Sequence, residues 1–97
     1  MNVEYHPLAM QELVDAAQFY EKRAAGLGGR FIAAVDATNR LLSRQPGIGR
    51  PGTATVRTFP IRRFPYSVVY QTRGEGLIIL AVAHQRRRPA YWTGRDR

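Results

Sequence analysis

The chain has 97 residues, with 15 Lys and Arg against 7 Asp and Glu, a net charge of +8 and no cysteine. That length supports one core and a single domain over 1–97, and without cysteine there is neither a disulfide frame nor a thiolate metal site. The longest apolar run, Leu77 to Ala83, is far short of the roughly 20 residues a membrane-spanning helix needs, and no basic stretch followed by an apolar one opens the chain, so a cytoplasmic protein is expected.

The charge is unevenly placed. Residues 1–49 balance five bases against five acids, whereas residues 50–97 set ten arginines against Glu75 and Asp96, which puts the whole net charge in the second half. A one-signed surface steers association with an acidic or polyanionic partner and otherwise costs folding energy through self-repulsion. Lys22 is the single lysine. Guanidinium forks bind phosphate or carboxylate bidentately and stack on rings as a lysine cannot, although a GC-rich genome produces the same choice with no functional meaning.

In chain order, Asn2 to Tyr5 reads as an edge strand, because Pro7 disfavours helix just before it. From Leu8 to about Ala24 the apolar positions Ala9, Leu13, Ala16, Ala17, Tyr20 and Ala24 repeat with helical spacing. Gly26-Leu-Gly-Gly29 interrupts the pattern. Leu27, Phe31, Ala34, Val35, Thr38, Leu41 and Leu42 resume it until Pro46 and Gly47 stop it, so the two helices form an antiparallel hairpin. After a Gly/Pro-rich loop over 46–52, three segments have strand texture: Thr53 to Ile61, Tyr66 to Thr72 and Leu77 to Ala83, the last two joined by the turn Arg73-Gly-Glu-Gly76. Leu77 to Ala83, apolar on both faces, is expected as the central strand, while Pro60 and Pro65 confine their surroundings to edges, bends or bulges. The fold class is α+β, in the order β-α-α-β-β-β. A small, mainly antiparallel sheet packs one face on the helical hairpin and leaves the other where arginines can collect.

Two stretches carry chemistry-bearing residues, Arg62-Arg-Phe-Pro-Tyr-Ser-Val-Val-Tyr70 and the tail that starts at His84. If Tyr66 to Tyr70 pairs antiparallel with Leu77 to Ala83, Arg62 and Arg63 arrive beside His84 to Arg88. Arginines that clamp a phosphate, with His84 or Tyr91 moving a proton, are the parts needed to cut RNA through its own 2′-hydroxyl. Each residue also has a plainer role. A lone histidine at a strand end is commonly a hydrogen-bonded structural group, Tyr91 and Trp92 can cap the core as the tail folds back, and Arg86, Arg87 and Arg88 in succession cannot all point one way. No HExxH motif, phosphate loop or close carboxylate pair is present, so neither a metal nor a nucleotide cofactor is expected.

Tyr5-His-Pro-Leu-Ala, Glu12-Leu, Phe19-Tyr-Glu21, Val56-Arg57, Arg63-Phe-Pro-Tyr-Ser-Val-Val-Tyr70, Ala81-Val-Ala-His84, Arg87-Arg-Pro89 and Tyr91-Trp92 together resemble the ParE/RelE superfamily of bacterial type II toxins. The resemblance implies a toxin neutralised in a hetero-oligomer by a co-expressed antitoxin, whose acidic, amphipathic C-terminal segment lies by the helical hairpin, against Leu13, Ala17, Tyr20, Phe31 and Val35. RelE-like members cleave mRNA on the ribosome, and here Arg62, Arg63, His84, Arg87 and Tyr91 are the candidates for that chemistry. ParE-like members poison DNA gyrase without being enzymes. The His-x-x-Arg-Arg-Pro-x-Tyr-Trp ending is more similar to this second branch, for which the target contacts are Arg57, Arg63, Arg86, Arg87, Arg88, Tyr91 and Trp92.

Overall fold

The computed structural model describes residues 2–53 and 55–96. Met1, Ala54 (within the predicted strand at 53–61) and Arg97 (in the basic tail) lie outside the described residues. A short strand, β1 (Asn2–Tyr5), leads into α1 (Pro7–Arg23), α2 (Leu27–Arg44) and a single 3-10 turn (Pro46–Ile48). Four strands follow, β2 (Arg50–Pro51), β3 (Val56–Pro60), β4 (Tyr66–Arg73) and β5 (Gly76–His84). The architecture is α+β, as the periodicities indicate. None of the described helices is long and apolar enough to cross a membrane.

Each helix start has a local cause. Pro7 occupies the first turn of α1, where its missing N–H costs nothing, and the Leu8 amide donates to His6 Nδ1 at 3.0 Å. At Gly26, α2 has no capping side chain of its own. Instead, the Glu21 carboxylate reaches across from α1 and accepts from the Gly26 and Gly28 amides at 2.9 and 3.0 Å, placing negative charge where the helix dipole favours it. Gly28 is also a point of close helix approach. A Cβ there would stand 2.5 Å from the Ala17 carbonyl oxygen, so the hairpin closes this tightly only on glycine.

The sheet order is β1-β5-β4-β3-β2. β1 pairs parallel with the first half of β5, from Asn2 opposite Gly76 to Tyr5 opposite Ile79, and the remaining pairings are antiparallel. Gly74, at φ +60°, makes the first of the two turn residues between β4 and β5, the conformation a tight hairpin needs to match strand twist. β5 is therefore interior, as its two apolar faces predict. The middle place falls to β4, because the two-residue β2, which sequence texture assigns to a loop, adds a strand beyond β3.

Val69 faces Ala81 whereas Tyr70 faces Ile79, so Leu80 is an extra residue and β5 carries a bulge. The consequence is a change of phase along the strand. Leu77, Ile79 and Val82 point to the helices with Val68 and Tyr70, while Leu80 and Ala81 both join Val56 and Val69 on the outer face. The main core lies between helices and sheet, with Leu13, Ala16 and Ala17 from α1 and Phe31, Val35 and Leu42 from α2. Tyr20, Phe31, Phe64 and Tyr66 close one end as an aromatic group with ring centroids 5.0 to 6.2 Å apart. The Phe-Pro-Tyr motif is thus a plug at the core's end, its two rings partly buried against the helices.

Candidate functional site

Beyond His84 the chain leaves the sheet and runs as successive turns, with Arg87 N–H bonded to the His84 carbonyl at 2.9 Å and Arg95 N–H to the Trp92 carbonyl at 3.1 Å. A carboxylate from α1 straps these turns to the sheet. Because β1 ends opposite Ile79, the rest of that edge of β5 has no strand partner among the described residues. There the Val82 amide donates to Glu12 Oε1 at 3.1 Å, and Arg95 Nη1 donates to the Leu80 carbonyl at 3.0 Å. Arg95 also forks onto both Glu12 oxygens at 3.0 and 3.1 Å, and the Tyr91 hydroxyl donates to Glu12 Oε2 at 2.8 Å. With the two side chains only 13% and 17% exposed, these charge-assisted bonds are shielded from water.

Tyr91 is held as a donor. Burial first, then the hydrogen bond to Glu12 and its charge, push the phenol up to about 12. The Arg87 guanidinium lies over the Tyr91 ring, 3.9 Å from its centroid, and Arg95 lies at 5.1 Å. Tyr91 and Trp92 also pack on Val56, Val69, Leu80 and Ala81. They cap the outer face and at the same time build one wall of a groove.

That groove, of about 510 Å³, lies between the strap and the outer face of the sheet. Thr58, Ser67, Val69 and Ala83 line it from the strands, His84, Arg87, Arg88, Tyr91 and Trp92 from the tail, and Arg50 from β2. Among the described residues, its lining contains no Asp or Glu. Among the described residues, Arg50, Arg87 and Arg88 make no ion pair, and Arg95 with Glu12 is the pair that forms. A concave surface with unpaired guanidinium groups, hydroxyls and aromatic rings can hold an anionic ligand that also offers something flat to stack.

Of the target contacts expected from the sequence, Arg87, Arg88, Tyr91 and Trp92 are brought together here, with His84 beside them. Arg86 is exposed but does not line the groove, and its amide donates to His84 Nδ1 at 3.0 Å. The His84 ring stands edge-on to Tyr66 at 5.0 Å.

Arg57 does not belong to the groove. Strand alternation sends Val56 and Thr58 outward and Arg57 inward, where its Nη1 donates to the Gly49 carbonyl at 2.8 Å and fixes the loop before β2. Arg62 and Arg63 are separated from it as well. Pairing does bring the strand ends together, with Tyr66 opposite His84 and the Gln85 amide on the Pro65 carbonyl at 2.9 Å. The two arginines, however, line a hollow on the helix side with Ala34, Thr38, Leu41 and Phe59, after a turn in which Arg63 takes φ +72°. The expected convergence of Arg62, Arg63, His84, Arg87 and Tyr91 on one phosphate therefore fails, because side chains from adjoining strand ends leave on opposite faces.

A second correction concerns the residues expected to meet an antitoxin. Leu13, Ala17, Phe31 and Val35 are buried in the core, and Tyr20 is engaged with Phe31, Phe64 and Tyr66, because the apolar stripe of each helix faces the sheet. Sequence reasoning also passed over Glu12, Arg95, Arg50, Thr58 and Ser67. Only Glu12 left a signal. It lies within the stripe formed by Ala9, Leu13 and Ala16, where a carboxylate needs a partner.

A helical hairpin packed on one face of a mixed five-stranded sheet defines a class of small α+β proteins. The chain matches the "Chromosomal ParDE TA system from P. aeruginosa" with a TM-score of 0.63 over 87% of this chain and 95% of that one, at 21% identity, a likeness that shows the fold. Residues 3–89 match the family described as the ParE toxin of type II toxin-antitoxin system, parDE, and the chain belongs to that family. It is the toxin of a ParDE-type system, and this membership implies a cognate antitoxin. Among curated proteins no sequence matches significantly.

Proposed function

We infer that this toxin acts as a single-domain cytoplasmic protein that poisons DNA gyrase through the groove under its C-terminal strap and is neutralised, in a hetero-oligomer, by an acidic amphipathic antitoxin. The observation that carries the reading is the joint presentation of Arg87, Arg88, Tyr91 and Trp92 around a hollow whose described lining has no Asp or Glu. Support also comes from what the arrangement lacks as a nuclease. Tyr91 is tied up as a donor to Glu12, and Arg62 and Arg63 stand on the other face of the sheet from it. A binding surface of one charge suits a nucleoprotein target, whose own surface is largely anionic.

The test is a gyrase assay. Purified toxin free of antitoxin is added to gyrase, ATP and relaxed plasmid, followed by detergent and protease, and linear DNA is scored on a gel. Linear plasmid is the expected result, reduced at least tenfold by Arg87→Ala/Arg88→Ala at equal folded protein. Normal supercoiling with no linear product, from folded protein that is toxic in cells, would overturn the gyrase reading in favour of mRNA cleavage on the ribosome.

A further inference from the structure

We propose that the groove beneath the strap is a binding site for a single strand of DNA, with phosphates on Arg50 and Arg88 and a base against Trp92. This deepens the gyrase reading and rests on it for the choice of DNA. The site itself rests on the chemistry of the lining.

Phosphate is indicated by what surrounds the cavity. Arg50 and Arg88 enter it from two separate elements, β2 and the tail, and neither makes an ion pair among the described residues. The acid that contributes most to the strap, Glu12, is spent on Arg95, Tyr91 and the Val82 amide, so it does not neutralise the groove. Two guanidinium groups on a partly enclosed surface, with Thr58 and Ser67 also in the lining, match the oxygens of a phosphodiester in charge and in supplying hydrogen-bond donors.

A base is indicated by the wall. Trp92 lines the groove while only partly buried, and Arg87 stacked on Tyr91 presents a second flat surface. Stacking of a base on such a platform is favourable for every base and needs no particular sequence. An acidic peptide satisfies the arginines but leaves both flat surfaces unused, which favours the nucleic acid. Size favours a single strand. A hollow of about 510 Å³ is of the order of a small-molecule pocket and takes a unit or two of an unstacked strand, whereas a duplex keeps its bases stacked inside and offers the wall no ring.

The test needs no gyrase. Trp92 is the only tryptophan in the chain, so intrinsic fluorescence reports the groove directly. A short oligodeoxynucleotide titrated into the purified full-length toxin should quench Trp92 saturably. Arg50→Ala/Arg88→Ala should weaken binding by about tenfold or more and flatten the salt dependence by about 1.4 in log–log slope, the loss of two single-strand phosphate contacts. Arg30→Ala/Arg44→Ala, which removes the same charge from exposed positions on α2, should leave the quench and the slope nearly unchanged.

Absence of a quench would overturn the proposal, and so would equal weakening by the two charge-matched pairs, which would mean diffuse attraction to a basic protein. A polyglutamate peptide or a duplex that quenches as strongly would assign the groove to an acidic protein segment or to double-stranded DNA instead. Tenfold preference for the oligoribonucleotide of the same sequence would overturn the assignment to DNA. Failure of this inference is separable from failure of the gyrase reading. A toxin that captures the strand but yields no linear plasmid refutes only gyrase as the target, and one that linearises plasmid without capturing the strand refutes only the groove.

Discussion

Glu12 shows how one side chain can set the position of a tail segment 79 to 83 residues away in sequence. Its two oxygens receive Val82, Tyr91 and Arg95, and hydrogen bonds to a charged group contribute about 1.5–3 kcal/mol each when removal leaves the partner desolvated. Glu12→Gln keeps the shape but removes the charge facing Arg95. The expected cost is about 2–3 kcal/mol, a fall of 10 °C or more in melting temperature for a domain of this size, accompanied by a Trp92 emission shift as the strap loosens. The same network gives stability a pH limit. Folded Tyr91 keeps its proton to about pH 12, whereas the unfolded chain releases it near the ordinary value of 10.0. Between these values the unfolded state binds fewer protons, so stability falls as pH rises, and the contribution is whole below about pH 10. Alkaline melting curves should show that fall in the wild type and a shallower one in Glu12→Gln. A variant that melts like the wild type with an unchanged pH profile would show that the network does not hold the tail.

Elements are positioned by a few close approaches rather than by propensity alone. α2 starts on a carboxylate from α1 and crosses it at Gly28. Gly28→Ala would improve intrinsic helix propensity by nearly 1 kcal/mol, yet its Cβ would press on the Ala17 carbonyl at 2.5 Å, and backbone cannot yield as a flexible side-chain end can. The clash wins. A net loss of about 1–3 kcal/mol is expected in urea denaturation, and a stabilised Gly28→Ala would mean that the hairpin has room to open. The bulge at Leu80 has a comparable role in the sheet. By turning two successive apolar residues outward it gives Tyr91 and Trp92 a surface to cover, and the Leu80 carbonyl takes a bond from Arg95. Period-two alternation in Leu77 to Ala83 cannot reveal it, because every residue of that run is apolar whichever face it meets.

For the whole molecule, the +8 charge gathered in the second half acts on stability as well as on binding. With a single ion pair formed among the described residues, Arg50, Arg87 and Arg88 repel one another around the groove on the outer face. Raising salt from about 0.1 M to about 1 M shortens the screening length from roughly 10 Å to 3 Å, so the melting temperature should rise with sodium chloride while strand binding weakens. A melting temperature that falls with salt would mean that exposed ion pairs, rather than repulsion, govern the surface. The opposite trends of stability and binding are the signature of a surface shaped for a partner at some cost to the free protein.

Sequence by itself determined the order of the main elements, β2 excepted, the helical hairpin, the interior place of Leu77 to Ala83 and the concentration of charge after residue 50. These follow from local periodicity, Pro and Gly punctuation and composition, which act over a few residues. The Tyr-His-Pro, Phe-Pro-Tyr and His-x-x-Arg-Arg-Pro motifs were also legible as a resemblance, and much of what carries it is structural, since His6 caps a helix and Phe64 and Tyr66 fill the core. Tertiary structure alone decided which arginines share a face. Strand alternation turns Arg57 inward, and the β3–β4 turn carries Arg62 and Arg63 to the helix side, while β2 brings Arg50 to the groove with Arg87 and Arg88. It also decided that the helix stripes are core instead of docking surface, and that Glu12 meets Arg95. Contacts spanning 70 and 83 residues depend on how the elements pack and on a single bulge, and neither leaves a periodic trace in the chain.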